Sequence, residues 1–307
     1  MTGETTSISG KLQYHDVYDG GDGNDTLLGT SGDDVVFMGG TAPPYYDGEE
    51  IRISSIENIN LGDGNEVLDM EHSTYTYTSD VTVDGGTGND VIWTDEGNDT
   101  LIGGTGNDWL DGGAGNDTLN GGADDDRLEG GAGADILNGG DGTDTASYVG
   151  SSAGVTIDLA AGTASGGDAA GDSFSLIENL LGSSYNDILY GDAGINVIDG
   201  GAGNDTIRGG GGNDTLTGGS GSDTFVIGEG DGFDTVSGGV GGGWTDTIQL
   251  QNADLSDVGD GWTVSLTTGS VQSDDGDMMT LSDDAAGTIT LEDGTQIAFE
   301  GIERIEY

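Results

Sequence analysis

The sequence predicts an all-β fold: a parallel β-solenoid with non-repeat β inserts and a β-strand cap at its C-terminal end. Three observations predict it: a nine-residue period, one apolar side chain at a fixed place in each period, and glycine at fixed places in the rest. From Gly85 to Ser147 the chain reads as seven consecutive nonapeptides, GGTGNDVIW, TDEGNDTLI, GGTGNDWLD, GGAGNDTLN, GGADDDRLE, GGAGADILN and GGDGTDTAS. A second array of five, GSSYNDILY, GDAGINVID, GGAGNDTIR, GGGGNDTLT and GGSGSDTFV, runs from Gly182 to Val226. Two more units, GGDGNDTLL and GTSGDDVVF, occupy Gly20 to Phe37.

Each unit splits into a six-residue loop and a three-residue strand whose middle residue is apolar. These residues are Leu27 and Val36, then Ile92, Leu101, Leu110, Leu119, Leu128, Leu137 and Ala146, then Leu189, Ile198, Ile207, Leu216 and Phe225. A three-residue strand points its middle side chain to one face and its flanks to the other, so stacked strands bury one narrow apolar line. The loops must reverse the chain within a few residues. Positive φ angles do this, and glycine, less often asparagine, adopts them cheaply, which is the expected reason for glycine at loop positions one, two and four and asparagine at five.

The sixth loop position carries the chemistry. It is aspartate at Asp25, Asp34, Asp90, Asp99, Asp108, Asp117, Asp126, Asp135, Asp144, Asp187, Asp205, Asp214 and Asp223. If two nonapeptides make one turn, loops two units apart lie side by side and their aspartates face one gap. Two carboxylates and several carbonyl oxygens supply the hard oxygen ligands that calcium takes, whereas magnesium demands tighter octahedral geometry and retains its waters. Pairing loops in this way gives five gaps in the first array and three in the second, so about eight or more calcium ions are expected.

Composition narrows the partners. The 307 residues hold 64 glycines, only 32% apolar residues, and 58 acidic against five basic side chains, for a formal charge of -53. Without the phased pattern this would describe a disordered acidic polymer. Nucleic acid and anionic membrane surfaces need clustered cations, and only Lys11, Arg52, Arg127, Arg208 and Arg304 are present. No run approaches a membrane span, so membrane insertion is not expected. Cysteine is absent, which removes disulfides, thiolate metal sites and cysteine nucleophiles. Residues Met1 to Lys11 lack the apolar stretch of a cleaved secretory signal.

The units follow the pattern GGxGxDxUx over twelve tandem copies, and in this the chain resembles the repeats-in-toxin (RTX, hemolysin-type) calcium-binding family. The resemblance implies a right-handed parallel β-roll, in a protein secreted by a Gram-negative bacterium through a type I channel and placed outside the cell or on its surface. Carried over by position, it makes the sixth-position aspartates side-chain ligands. It makes Gly86, Gly88, Gly104, Gly106, Gly113, Gly115, Gly201, Gly203, Gly210 and Gly212 donors of carbonyl oxygen. Departures weaken particular sites: Asn196 replaces an aspartate, Tyr185 and Asp124 replace fourth-position glycines, and Glu66 stands at a sixth position. Sites that use Asn196 are expected to be weak or empty.

The arrays set the expected organisation: residues 1–84 start the roll with an irregular insert, 85–147 form the first array, 148–181 a non-repeat β insert, 182–237 the second array, and 238–307 a β cap. In the insert, Val155, Ile157 and Leu159 alternate with polar residues, predicting a half-buried strand. In the cap, Trp262 to Leu266, Thr288 to Leu291 and Gln296 to Phe299 alternate likewise, with Asp293 and Gly294 as a hairpin turn. The recurring Ile56-Glu57-Asn58, Ile177-Glu178-Asn179 and Ile302-Glu303-Arg304 are expected to close each excursion from the roll, with their isoleucines buried in equivalent strands.

No catalytic constellation emerges. His15 and His72 are the only histidines, no HExxH pattern occurs, and the lone Glu71-His72 pair reads as a surface feature. The expected function is therefore non-enzymatic: a roll that folds on calcium after export, as a structural or accessory module of a secreted protein, either a domain of a larger chain or a small extracellular structural protein. An extracellular matrix, surface-layer or adhesin protein binding cells or polysaccharide is the alternative, and a polysaccharide-modifying enzyme the second alternative.

Overall fold

The computed structural model describes residues 5–7, 17–19, 24–32, 35–37, 52–54, 56–70, 77–239, 244–251, 262–274 and 278–307. Lys11, His15, Gly20, Asp34, Glu71 and His72 lie outside them. The described chain is all-β and divides into two compact units, Met1–Ser147 with Ala169–Ile177, and Tyr148–Asp168 with Glu178–Tyr307. Residues 148–181 are thus shared between the units. No helix of the described residues is long and apolar enough to cross a membrane.

The first unit is a parallel β-solenoid whose successive strands alternate between two ladders. One ladder stacks Thr26–Thr30, Asn58–Gly62, Thr82–Thr87, Thr100–Thr105, Thr118–Ala123, Ile136–Asp141 and Ser173–Ser175. The other stacks Val35–Phe37, Val67–Asp69, Val91–Trp93, Trp109–Asp111, Arg127–Glu129 and Thr145–Ser147. Leu101 lies beside Leu119 and Leu119 beside Leu137, so each turn takes two nonapeptides. The buried line follows directly: Ile92, Leu101, Leu110, Leu119, Leu128, Leu137 and Ala146 are all 0% exposed. On the outer face Trp109 meets Trp93 edge-on at 5.1 Å, and Arg127 lies 4.7 Å over the Trp109 ring while pairing with Glu129.

In the second unit, Thr156–Asp158, Ile188–Tyr190, Thr206–Arg208, Thr224–Gly228, Thr247–Gln251 and Arg304–Glu306 form one parallel ladder. Asn179–Leu181, Val197–Asp199, Thr215–Thr217, Phe233–Ser237 and Gln296–Glu300 form the other. Val155 and Ile157 are buried as the alternation predicts. Beyond the parallel ladders the strands turn antiparallel. Trp262–Thr268 and Gln296–Glu300 flank Ala286–Leu291, and Met278–Leu281 lies against Arg304–Glu306, covering backbone groups that an open coil would expose.

Glycine and asparagine act differently from expectation at two loop positions. Second- and fourth-position glycines such as Gly104 and Gly106 take φ of +119° and +112°, but the first-position glycines Gly85, Gly103 and Gly112 do not enter that region. Among the described residues, the non-glycine positive-φ positions are Asp124 and Leu176, and neither is asparagine. Fifth-position asparagines instead ladder between coils: Asn89 N–H donates to Asn65 Oδ1, Asn107 N–H to Asn89 Oδ1 and Asn116 N–H to Asn98 Oδ1. A short amide side chain can accept the N–H of the equivalent residue one coil on, and that contact, rather than backbone freedom, accounts for asparagine there.

Candidate metal centre

The sixth-position side chains form two columns in each unit, and the backbone orients them. In the first unit the N–H groups of Asp90, Asp108 and Asp126 each donate to Oδ1 of the aspartate one coil on, at 2.8 Å, which runs the column to Asp144. The facing column links Asp99, Asp117, Asp135 and Asp172 in the same way. In the second unit Asp187, Asp205, Asp223 and Asp246 form one column, and Asn196, Asp214 and Asp234 the other. Every one of these carboxylates is buried, with Asp90 and Asp117 at 1% exposure and Asp223 at 0%.

With Oδ1 fixed by an N–H, the second oxygen has one direction left. Oδ2 of Asp90, Asp108, Asp117, Asp126, Asp205, Asp214, Asp223 and Asp234 is buried with no hydrogen-bond partner. A buried carboxylate oxygen left unpaired costs several kcal/mol in order of magnitude, so a repeated row of them calls for a ligand. The glycines show what surrounds these oxygens. A Cβ on Gly85 would fall between Asp90 Oδ2 and the carbonyl oxygen of Gly103, and a Cβ on Gly121 between Asp126 Oδ2 and Gly139 O. Glycine at these first positions keeps open a pocket shared by a carboxylate and the next coil's carbonyl, whereas Thr94, first in its own loop, is buried and gives its hydroxyl to Gly112 O.

The glycines named from the resemblance sit against stacked carbonyls. A Cβ on Gly104 would strike Gly86 O, on Gly106 Gly88 O, on Gly113 Asp95 O and on Gly115 Gly97 O. In the second unit Gly201 faces Ser183 O, Gly203 faces Tyr185, Gly210 faces Asp192 O and Gly212 faces Gly194 O.

Among the described residues, Arg127, Arg208 and Arg304 pair with Glu129, Asp231 and Glu306, none of them a sixth-position aspartate. Burial first, then repulsion from neighbouring aspartates, raises Asp108, Asp117, Asp126 and Asp205 to about 7 and Asp214 to about 6. Among the described residues no group of three or more histidine or acidic side chains converges on one point. A cation here must then draw on one or two carboxylates and several carbonyls, a hard all-oxygen set of the kind calcium accepts.

The family described as RTX calcium-binding nonapeptide repeat (4 copies) matches residues 13–40, 82–110, 111–146, 175–206 and 190–225. Over these residues the chain carries RTX calcium-binding repeats. Its repeats are therefore calcium-binding repeats of a kind typical of secreted bacterial proteins. Among solved structures, the extracellular lipase LipA from Serratia marcescens is similar over 92% of this chain and 38% of the lipase, at 14% identity and a TM-score of 0.19. The chain thus spans 38% of that lipase's length. No curated protein matches the chain.

Individual RTX loops depart from the pattern in ways the structure makes specific. Asn196 is buried with Oδ1 where its neighbours place Oδ2, against Gly191 and Gly209 O, but that oxygen accepts the Asp192 N–H, and Nδ2 donates to Glu178 O at 2.7 Å. Asp187 is self-satisfied, because Ser183 donates its N–H to Oδ2 at 2.7 Å and its hydroxyl to Oδ1 at 2.8 Å. Asp99 Oδ1 accepts the Val81 N–H at 2.8 Å. Glu66 is 0% exposed, its N–H bound to Asp90 Oδ1, and Asp25 donates its N–H to Glu57 Oε2.

That last bond reveals what the recurring tripeptides do. Ile56, Ile177 and Ile302 are 3%, 5% and 0% exposed, but each precedes its strand rather than lying in it. The next residue, Glu57, Glu178 or Glu303, occupies the sixth loop position, ahead of Asn58–Gly62, Asn179–Leu181 and Arg304–Glu306. Sequence reasoning also missed Asp172, Asp234 and Asp246. The signal was an acidic residue followed by one residue and then an apolar one, as in Asp234-Thr235-Val236 and Asp246-Thr247-Ile248, without a glycine loop of the right length before it.

Proposed function

We propose that this chain is a calcium-dependent folding module of a secreted protein, structural or accessory rather than catalytic. The row of buried Oδ2 oxygens without hydrogen-bond partners carries the reading. Asp90, Asp108, Asp117, Asp126, Asp205, Asp214 and Asp223 would supply side-chain oxygens, and loop glycines such as Gly86, Gly88, Gly104, Gly106, Gly201 and Gly210 carbonyl oxygens. Bound calcium supplies the positive charge that the rows lack.

The chain's own residues make folding conditional. The core is one apolar side chain per strand, so burial offsets little of the conformational entropy of a chain with 64 glycines. Facing aspartates repel along every column. At the low free calcium of a bacterial cytosol both facts favour an extended chain suited to a secretion channel. Outside, at millimolar calcium, ligand that binds only the folded chain draws it into the roll. Far-ultraviolet circular dichroism tests this: coil in chelator, β-structure in millimolar calcium, and no such change in magnesium. A β-rich spectrum in chelator would reject the reading.

A further inference from the structure

We propose that the row of cation sites continues past the last nonapeptide, with Asp246 shared between two further calcium sites, the second of which is closed by Glu303. This rests on the calcium reading above and extends it to residues outside any repeat.

Two features mark a repeat loop. The N–H of its sixth residue donates to a carboxylate one coil on, and its first glycine has space only because a Cβ would fall on the loop's own Oδ2 and the next coil's first carbonyl. At Gly200 those groups are Asp205 Oδ2 and Gly218 O. Both features recur where no nonapeptide exists. Asp223 N–H donates to Asp246 Oδ1 and Asp246 N–H to Glu303 Oε2, each at 2.8 Å. A Cβ on Gly238 would fall on Asp246 Oδ2 and Gly301 O. Gly239, with φ of +112°, stacks on Gly219 O as a second-position glycine does.

The oxygens are left open as in the repeats. Asp223 is 0% exposed and its Oδ2 has no hydrogen-bond partner. Asp246 is 5% exposed, with Oδ1 occupied by the Asp223 N–H and no hydrogen bond on Oδ2. One gap lies between Gly218 and Asp223 on one coil and Gly238 and Asp246 on the next, and the second between Gly238 and Asp246 and the following Gly301 and Glu303. Each offers two carboxylates beside glycine carbonyls, the donor set of a hard divalent cation. An ion in the second gap ties Arg304–Glu306, the parallel neighbour of Thr247–Gln251, to the roll.

The test uses the full chain, calcium as the probe, stoichiometry by equilibrium dialysis, and hydrogen–deuterium exchange. Glu303→Gln should lose one ion per chain and Asp246→Asn two, because Asp246 borders both gaps. Both should lose amide protection in Thr247–Gln251 and Arg304–Glu306 while Thr100–Thr105 stays protected. Glu303→Asp should retain the ion. Unchanged stoichiometry in both variants, or equal loss in Glu303→Asp and Glu303→Gln, overturns the proposal. Should either variant fail to fold, the wild type decides: protection of Arg304–Glu306 must require calcium, and full protection in chelator overturns it. A wild type that binds no calcium would instead reject the function proposed above.

Discussion

Single residues show how closely loop chemistry and backbone geometry are coupled. Asp124 occupies a fourth position with φ of +78°, a conformation that costs a side chain about 1 kcal/mol. It also adds a charge beside Asp108 and Asp126. Asp124→Gly should therefore stabilise the calcium-bound chain by about 1 kcal/mol, read as a higher denaturant midpoint. Asn196 predicts a change of sign. Asn196→Asp exchanges the amide donor to Glu178 O for a carboxylate facing that carbonyl, so the variant should melt lower in chelator. In millimolar calcium it should bind one ion more and melt higher. Parallel thermal melts with and without calcium decide this, and a shift of one sign in both would show that the position does not address a cation.

At the scale of the element, each column behaves as one titrating unit, because every aspartate sits beside the next. Asp108, Asp117, Asp126, Asp205, Asp234 and Asp246 are raised to about 7 in the folded calcium-free chain, from 3.8 for an unperturbed aspartate. A folded pKa above the unfolded one means that the folded chain holds its protons more tightly. The resulting stabilisation is complete below about pH 4 and is lost as pH rises through about 7. Acidifying the chain in chelator from neutral pH should therefore increase its β-structure, protons taking the place of cations along the columns. Circular dichroism against pH checks this, and a spectrum that stays coil down to pH 4 would contradict it. The strands were legible in the sequence, since one apolar residue in the middle of three is a local pattern. Ser173–Ser175, with Phe174 in that place, escaped notice because the segment before it lacks a repeat loop.

For the whole molecule, a formal charge of -53 raises the question of whether calcium acts at sites or merely screens. Monovalent salt separates the two. At about 1 M the Debye length falls to about 3 Å, which removes most repulsion between exposed carboxylates but leaves the buried Oδ2 pockets without a ligand. Concentrated potassium chloride should therefore leave the chain largely unfolded, where millimolar calcium folds it. Equal folding in both, followed by circular dichroism, would reduce the metal centre to general screening.

The sequence by itself determined the coil, its inner line and the carboxylate rows within the arrays. All three are encoded at a fixed nine-residue spacing, and stacking in register turns that spacing into position. Tertiary structure decided the rest. Asp246 joins the row 23 residues after Asp223, and Glu303 a further 57 after Asp246, because strand pairing against the preceding coil, not a residue count, sets which loop stacks next. It also decided which carboxylate oxygen stays open, since only the backbone of the neighbouring coil can occupy Oδ1 and leave Oδ2 facing the gap.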